Sequence, residues 1–108
     1  MFARILHFEI KPEKKDDFVK VMKNEVLPIL RKQTGFLEVL PLFPEKLREE
    51  KVFSISLWMD KADAERYEKE QYPRVHEMVK PYLLTPITVK PYLVETTLCE
   101  HLVETIAA

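Results

Sequence analysis

Two segments of this chain are apolar at nearly every position, and each leads through a charged turn into an amphipathic helical pattern. The first covers residues 2–10 and the second covers residues 52–59. A strand with one wet face alternates apolar and polar side chains, whereas a near-continuous apolar run indicates a strand covered on both faces. Two helical segments in a chain of 108 residues can cover only one face of a four-stranded sheet. The pattern therefore predicts that something outside the chain covers the other face.

Length, charge and cysteine content restrict the class of protein. The chain has the length of one domain, and its 17 basic and 18 acidic side chains are spread along it. No basic stripe is present, so nucleic-acid binding is not predicted. A single Cys99 excludes an internal disulfide and fits a reducing compartment. No export signal or membrane-spanning run is recognisable, and the cytoplasm is the expected location.

Helical spacing and proline positions locate the helices. The first helix is predicted to begin at Pro12, and Pro28 is predicted to kink or interrupt it because proline lacks an amide donor. Gly35, the only glycine, is expected to end the helical region. A second helical segment over residues 61–83 is predicted to divide at Pro73. The apolar stripe of the first helix consists of Phe18, Val19, Met22, Val26, Ile29 and Leu30.

Proline also predicts the strand order, since it is confined to sheet edges, strand starts and bulges. Pro41 lies in the second predicted strand, residues 36–43, and Pro91 lies in the fourth, residues 87–95. The first and third strands should therefore be central. This is the 4-1-3-2 order of a split β-α-β fold with an antiparallel four-stranded sheet. Residues 47–51 are predicted to be a charged hairpin connection.

Residues 1–95 form the predicted domain, and residues 96–108 form a C-terminal extension. Thr97 and Glu100 have the spacing of a helix capping box. A short amphipathic helix is predicted after it, and such a helix needs a surface to rest on. A partner subunit is one candidate for that surface; the alternative is that the extension folds back or frays. The apolar positions of this helix are Leu98, Leu102, Val103 and Ile106.

Two histidines are candidate catalytic residues because imidazole changes charge near neutral pH. His76 lies on the second predicted helix, where the alternative is a surface or half-buried structural role. His7 interrupts a central strand between Leu6 and Phe8. A polar ring there lines a pocket or finds a hydrogen-bond partner in the core.

Aromatic and hydroxyl side chains are candidates for substrate binding. Trp58, Tyr67 and Tyr72 offer flat apolar faces with polar handles, although such residues also serve as ordinary core. Ser54 and Ser56 share a strand face with Trp58 through the two-residue period. No Ser-His-Asp order, phosphate loop or metal-ligand spacing is present, so neither a nucleotide enzyme nor a metal site is predicted.

Taken together, residues 3–95 resemble the antibiotic biosynthesis monooxygenase-like (ABM) group of the dimeric α+β barrel superfamily. The resemblance implies an α+β, ferredoxin-like monomer whose sheet pairs with that of a second copy to form a barrel. A homodimer would supply the missing cover. The motifs that carry the resemblance are Lys11-Pro12, Gly35-Phe36, the strand ending at Trp58 and the segment Lys80-Pro81-Tyr82-Leu83.

Two kinds of relative within this group can be compared residue by residue. In haem-degrading members the haem-ligating histidine corresponds to His76, four residues after Tyr72. Their helical tryptophan corresponds to Tyr67, and the asparagine of their first strand corresponds to Ile5. These two departures disfavour haem as a cofactor. In quinol-oxidising members, many chains have a histidine at the position of Gln71. This chain therefore differs from them at that position too.

Three functions remain open. The first is a cofactor-independent oxygenase, hence an oxidoreductase, for a small aromatic or quinol-type substrate; His76 or His7 would remove a phenolic proton. The alternative is a non-catalytic dimeric domain that binds a small apolar molecule or serves an accessory role. The third is haem degradation. The candidate substrate-binding residues are Trp58, Tyr67, Tyr72, Ser54, Ser56 and Ile5.

Overall fold

Four strands form one antiparallel sheet in the computed structural model, which describes residues 1–46 and 51–99. The sheet order is β2-β3-β1-β4. It is the predicted 4-1-3-2 order, and the prediction of Pro41 and Pro91 on the two edge strands is confirmed. The strands are β1 (Phe2–Phe8), β2 (Phe36–Leu42), β3 (Val52–Trp58) and β4 (Thr88–Leu93).

Four α-helices connect these strands. They are α1 (Lys15–Val21), α2 (Leu27–Arg31), α3 (Lys61–Glu70) and α4 (Tyr72–Val79). A 3-10 turn over Pro12–Lys14 leads into α1, and another over Lys80–Tyr82 follows α4. The predicted division of the second helical segment lies at Gln71, just before Pro73, whose missing donor is tolerated in a first helical turn.

The predicted interruption of the first helix is a π turn rather than a kink at Pro28 itself. Residues Met22–Val26 form this wide turn between α1 and α2, and the amide of Leu27 donates to the Met22 carbonyl. Pro28 has no amide hydrogen and its ring crowds the carbonyl four residues earlier. A local widening of the helix relieves that crowding.

All four helices pack on one face of the sheet, the helix-covered face. The core combines side chains of β1 and β3 with buried positions from each helix, so alternate residues of the central strands point toward the helices. The buried members of this core are Phe2, Phe8, Ile10, Phe18, Val26, Leu30, Val52, Trp58, Ala64, Tyr67, Val75 and Val79.

The opposite side of the sheet, the outer face, carries many apolar side chains, several of which are exposed. Its central part consists of Ala3, Ile5 and His7 from β1 with Phe53, Ile55 and Leu57 from β3; its flanks include Leu40, Leu42 and Tyr92. The side chains of Leu40, Leu42, Phe53 and Tyr92 are each between 41% and 50% exposed. Both faces of the central strands are therefore apolar, as the sequence indicates, but within this chain the helices cover only one of them.

Gly35 joins α2 to β2 in a conformation that other residues avoid. Its φ is +80°, and a Cβ at this position would overlap the carboxylate of Asp63. Its carbonyl accepts the amide of Met59 at 2.8 Å, which fixes the start of β2 beside the end of β3. The expectation that Gly35 ends the helical region is confirmed.

Two predicted segments reach beyond the described residues. The charged connection includes residues 47–50, and the C-terminal helix includes residues 100–108; both of these stretches lie outside the described part of the chain. The described part of the C-terminal extension contains a 3-10 turn over Thr96–Leu98. The first strand is shorter than predicted: it ends at Phe8, and Ile10 makes an isolated bridge to Leu83.

Candidate functional site

A narrow cleft lies between the helix-covered face of the sheet and the helices. It encloses a cavity of about 50 Å³. Most of its lining is apolar and comes from both helical segments, while its polar lining comes from Arg4, Ser54, Ser56, Tyr67 and Tyr72. Cross-strand pairing sets Arg4 opposite Ser56, and Leu6 opposite Ser54. The two-residue period of β1 and β3 therefore brings a guanidinium and two hydroxyls to one surface.

Arg4 is the most unusual side chain in the cleft, with only 3% of its surface exposed. Its guanidinium carbon lies 4.7 Å from the ring centre of Tyr72 and 5.2 Å from that of Tyr67. Its Nε lies 3.8 Å from a carboxylate oxygen of Glu68, which is 47% exposed. Among the residues that the structure describes, Nε and Nη2 of Arg4 have no hydrogen-bond partner, although both are buried.

The two tyrosines beside Arg4 are uncharged near neutral pH. Burial raises the pKa of Tyr67 to about 12, even though the positive charge of Arg4 opposes the shift. Burial also raises the pKa of Tyr72 above its usual value, again against the effect of Arg4. A phenol resists ionisation in such surroundings because the anion loses its hydration. Neither hydroxyl therefore supplies a negative charge to the guanidinium.

Trp58 lies behind the cleft rather than in its lining. It is fully buried, and its indole Nε1–H donates to Ser56 Oγ at 3.0 Å. Its ring packs against Phe36 and Tyr67 at centroid distances of 5.5 and 5.1 Å. Trp58 thus holds Ser56 and Tyr67 in place and is not itself part of the cavity lining.

The candidate histidines lie at different distances from the cleft. His76 is half-buried on α4, and its ring centre is 6.2 Å from that of Tyr72, but His76 is not part of the lining. His7 lies on the outer face, where its ring centre is 5.7 Å from that of Phe53 and its Nδ1 is 3.4 Å from Lys51 Nζ.

The surroundings of His7 disfavour its charged form. Partial burial, followed by the nearby charges of Lys51 and Lys90, lowers the pKa of His7 below its usual value. Ile5 shares this outer face. The structure therefore gathers Ser54, Ser56, Tyr67 and Tyr72 in the cleft, places Trp58 behind them and His76 beside them, and puts His7 and Ile5 on the other side of the sheet.

Sequence reasoning did not single out Arg4. The sequence nevertheless contains a feature that could have identified it. Arg4 is a charged residue inside an apolar strand, and it shares the alternate positions of that strand with Phe2, Leu6 and Phe8. A buried arginine is rare unless it is paired, so that spacing alone marks an unusual site.

An open groove of about 470 Å³ runs along the outside of the cleft, between β2 and the first helical segment. Met22, Leu30, Val39 and Pro41 line both the groove and the cleft. A wall of four side chains thus separates the small interior cavity from a space within the usual size range of ligand sites, roughly 300–1,000 Å³.

Two further findings concern the part of the chain that the structure covers. No three His, Cys, Asp or Glu side chains within residues 1–46 and 51–99 lie close enough together to hold a metal ion. In the same ranges, no helix has the length and apolar character required to cross a membrane.

Comparison with known proteins identifies similar folds. The family model described as antibiotic biosynthesis monooxygenase matches residues 1–78. No protein with a curated description matches the sequence significantly.

Three solved structures illustrate the likeness. A Streptomyces coelicolor monooxygenase from the ActVA-Orf6 gene, in complex with nanaomycin D, has a TM-score of 0.73 at 15% identity, covering 87% of each chain. The haem degrader MhuD of Mycobacterium tuberculosis, with two haems bound, has a TM-score of 0.70 at 18% identity, covering 88% of this chain and 96% of its own. A conserved protein from Methanosarcina mazei has a TM-score of 0.67 at 17% identity, covering 85% and 91%. At these identities the likeness shows the fold alone.

Proposed function

Because this chain belongs to the antibiotic biosynthesis monooxygenase family, we propose that it is an oxygenase for a small phenolic or quinol-type aromatic, and that it needs no metal or organic cofactor. One observation carries the proposal: an otherwise apolar cleft in which Arg4, Ser54, Ser56, Tyr67 and Tyr72 converge. A few polar groups placed in an apolar concavity are the usual anatomy of a small-molecule site.

The ligand reaches this site through the groove beside β2. The interior cavity of about 50 Å³ holds only a few water molecules, so an aromatic ring requires movement of the shared wall. Met22 belongs to that wall and has three rotatable side-chain bonds, which makes it the most adaptable member. Opening the wall joins the cavity to the larger groove.

The chemistry begins with loss of the phenolic proton, which leaves an electron-rich anion able to reduce dioxygen. The phenol then loses two hydrogens, gains one oxygen atom and becomes a quinone, while the second oxygen atom leaves as water. His76 is the histidine nearer to the cleft, because it lies beside the lining residue Tyr72. Since His76 is outside the cleft lining, we assign it the role of general base acting through a bridging water molecule, and we leave His7, on the outer face, without a catalytic role.

Oxygen uptake with a panel of phenols and quinols tests this proposal. With ¹⁸O₂, the quinone should carry one labelled oxygen atom. His76→Ala should slow uptake about 100-fold, in line with loss of a general base, whereas His7→Ala should leave it unchanged. Tyr72→Phe should slow it, and Tyr92→Phe on the outer face serves as the matched control. Absence of uptake across the panel would contradict an oxygenase.

A second candidate is a binding domain without catalytic activity. It is favoured by one observation: among the described residues that line the cleft, none is His, Asp or Glu. A site without a proton acceptor is suited to holding a ligand rather than to transforming it. Saturable binding of an aromatic that causes no oxygen uptake would support this candidate over the first.

Haem does not fit the cleft as the structure describes it. The resemblance to haem degraders requires His76 to face the ligand, yet His76 is not in the lining, and Ile5 lies on the outer face. The buried Arg4 side chain is instead part of the lining. Haem titration followed by absorbance tests this: a Soret shift that disappears in His76→Ala would restore haem as a ligand.

We also propose that two copies of the chain associate through their outer faces. Leu40, Leu42, Phe53 and Tyr92 form an exposed apolar surface there, and burying it against a second copy removes it from water. Sedimentation at micromolar concentration should show a dimer that Phe53→Glu dissociates. Leu84→Glu is the matched control, because Leu84 is an exposed leucine outside the sheet. A folded monomer of the unaltered chain would contradict the proposal.

A further inference from the structure

The cleft contains a buried positive charge whose carboxylate partner, Glu68, is half exposed and too far away to accept a hydrogen bond. Arg4 is almost completely buried, and two of its nitrogen atoms have no acceptor among the residues described. A guanidinium is protonated at any ordinary pH, so it cannot avoid this cost by losing a proton. Burying charged N–H groups without acceptors is unfavourable unless a partner arrives.

The nearest candidates for a counter-charge do not fill this role. Glu68 is about half exposed, and its carboxylate is 3.8 Å from Nε, beyond hydrogen-bond distance. Tyr67 and Tyr72 are neutral; their rings lie beside the guanidinium, and the Tyr67 hydroxyl is also a weak hydrogen-bond partner of Arg4. Within the described lining there is no Asp or Glu. Arg4 is therefore the one charged side chain in the described lining of the cleft.

The contacts around Arg4 also hold its planar group in place. Both tyrosine ring centres lie within about 5 Å of the guanidinium carbon, a distance at which aromatic rings attract cations. Ser56 is its cross-strand neighbour, and Ser56 Oγ is held by the indole of Trp58. A fixed guanidinium beside a fixed hydroxyl is a preorganised receptor for an oxygen atom with negative charge.

We propose that Arg4 binds the anionic oxygen of an aromatic ligand, a ring carboxylate or phenolate, inside the cleft. This assignment rests on the proposed function only in placing the ligand there, and it narrows the substrate to aromatics that carry such an oxygen. The two buried nitrogens of Arg4, Nε and Nη2, donate to the oxygen, Ser56 lies alongside it, and the ring occupies the apolar part of the cleft toward Met22.

Benzoate and its neutral analogue benzamide provide a direct test. Trp58 is the only tryptophan, so its indole N–H gives a single nuclear magnetic resonance signal next to Ser56. We expect benzoate to shift this signal and that of Arg4 Nε–H with saturation, and to bind at least about tenfold more tightly than benzamide. Equal affinity for the two probes, or no binding of benzoate, overturns the assignment.

A pair of arginine variants identifies the residue responsible. Arg4→Met should abolish the preference for benzoate, whereas Arg74→Met, on the exposed side of α4, should preserve it. An unchanged preference in Arg4→Met overturns the assignment. The comparison of benzoate with benzamide in the unaltered chain does not depend on how well either variant folds.

Failure of this assignment is distinguishable from failure of the proposed function. Benzoate selectivity without oxygen uptake from any phenol supports Arg4 as the anion site and contradicts the oxygenase. Oxygen uptake from neutral aromatics, together with equal binding of benzoate and benzamide, supports the oxygenase and overturns the role of Arg4.

Discussion

Replacement of Arg4 by methionine should make the free protein more stable while it removes the anion site. The two buried guanidinium nitrogens without described acceptors, Nε and Nη2, cost about 1–3 kcal/mol each. Contacts with the rings of Tyr67 and Tyr72 stabilise the guanidinium by about 0.5–2 kcal/mol each. The ion pair with Glu68, which is long and half exposed, stabilises it by less than about 1 kcal/mol.

These opposing effects leave Arg4 with a net cost of the order of 1–2 kcal/mol in the absence of a ligand. Methionine fills a similar volume with an adaptable apolar chain, and such replacements of buried charges are often neutral or stabilising. The expected gain in the free energy of unfolding is therefore about 1–2 kcal/mol, or roughly 4 °C or more in melting temperature.

Urea unfolding at pH 7, followed by far-ultraviolet circular dichroism, measures this difference. Protein concentration must be the same for each variant, because association raises apparent stability. Arg74→Met serves as the exposed control and should change stability by less than about 0.5 kcal/mol. If Arg4→Met loses more than about 1 kcal/mol, Arg4 is a structural residue with satisfied donors, and the reasoning is refuted.

Three other variants test separate features. Gly35→Ala should lower the free energy of unfolding by about 2 kcal/mol, because positive φ costs a side chain about 1–2 kcal/mol and the methyl group overlaps Asp63; an unchanged urea midpoint would contradict this. Tyr67 ionises near pH 10 when unfolded but only near 12 when folded, so its contribution is constant below pH 10 and falls by about 2–3 kcal/mol as pH rises to 12. Tyr67→Phe should remove that loss, and the same alkaline loss in both proteins would refute it. His7 has a lowered pKa, so the unfolded chain takes up a proton first as pH falls below about 6.5, and stability declines until the folded ring is also protonated. Melting curves of His7→Gln should show a flatter acid profile, and parallel profiles would argue against the shift.

The strand order was predictable because proline acts through a local and absolute property, the missing amide hydrogen. Pro41 and Pro91 identified the edge strands without any knowledge of packing. Gly35 was predictable for a similar reason, since one glycine in the whole chain must serve the turn that needs positive φ. The π turn before Pro28 was not, because several local distortions relieve the same crowding.

The candidate site was only partly predictable, and the cause lies in the central strands. Where both faces of a strand are apolar, the two-residue period no longer shows which residues point toward the helices. His7 and Ile5 were expected in the site and lie on the outer face, whereas Arg4, one position away from Ile5, points inward. The strand period predicted that Ser54 and Ser56 share one face, and Tyr67 and Tyr72 were chosen as aromatic rings with a polar handle; the structure places all four in the cleft lining.

The prolines at both margins of the sheet also protect the molecule from unwanted polymerisation. A strand that carries a proline is a poor template for a newly arriving strand, since the ring and the missing donor disturb continuous pairing. End-to-end growth of the sheet into fibrils is thereby hindered at β2 and at β4. In the proposed dimer the two copies meet through the outer faces of their sheets, and such a contact between two copies closes on itself instead of propagating.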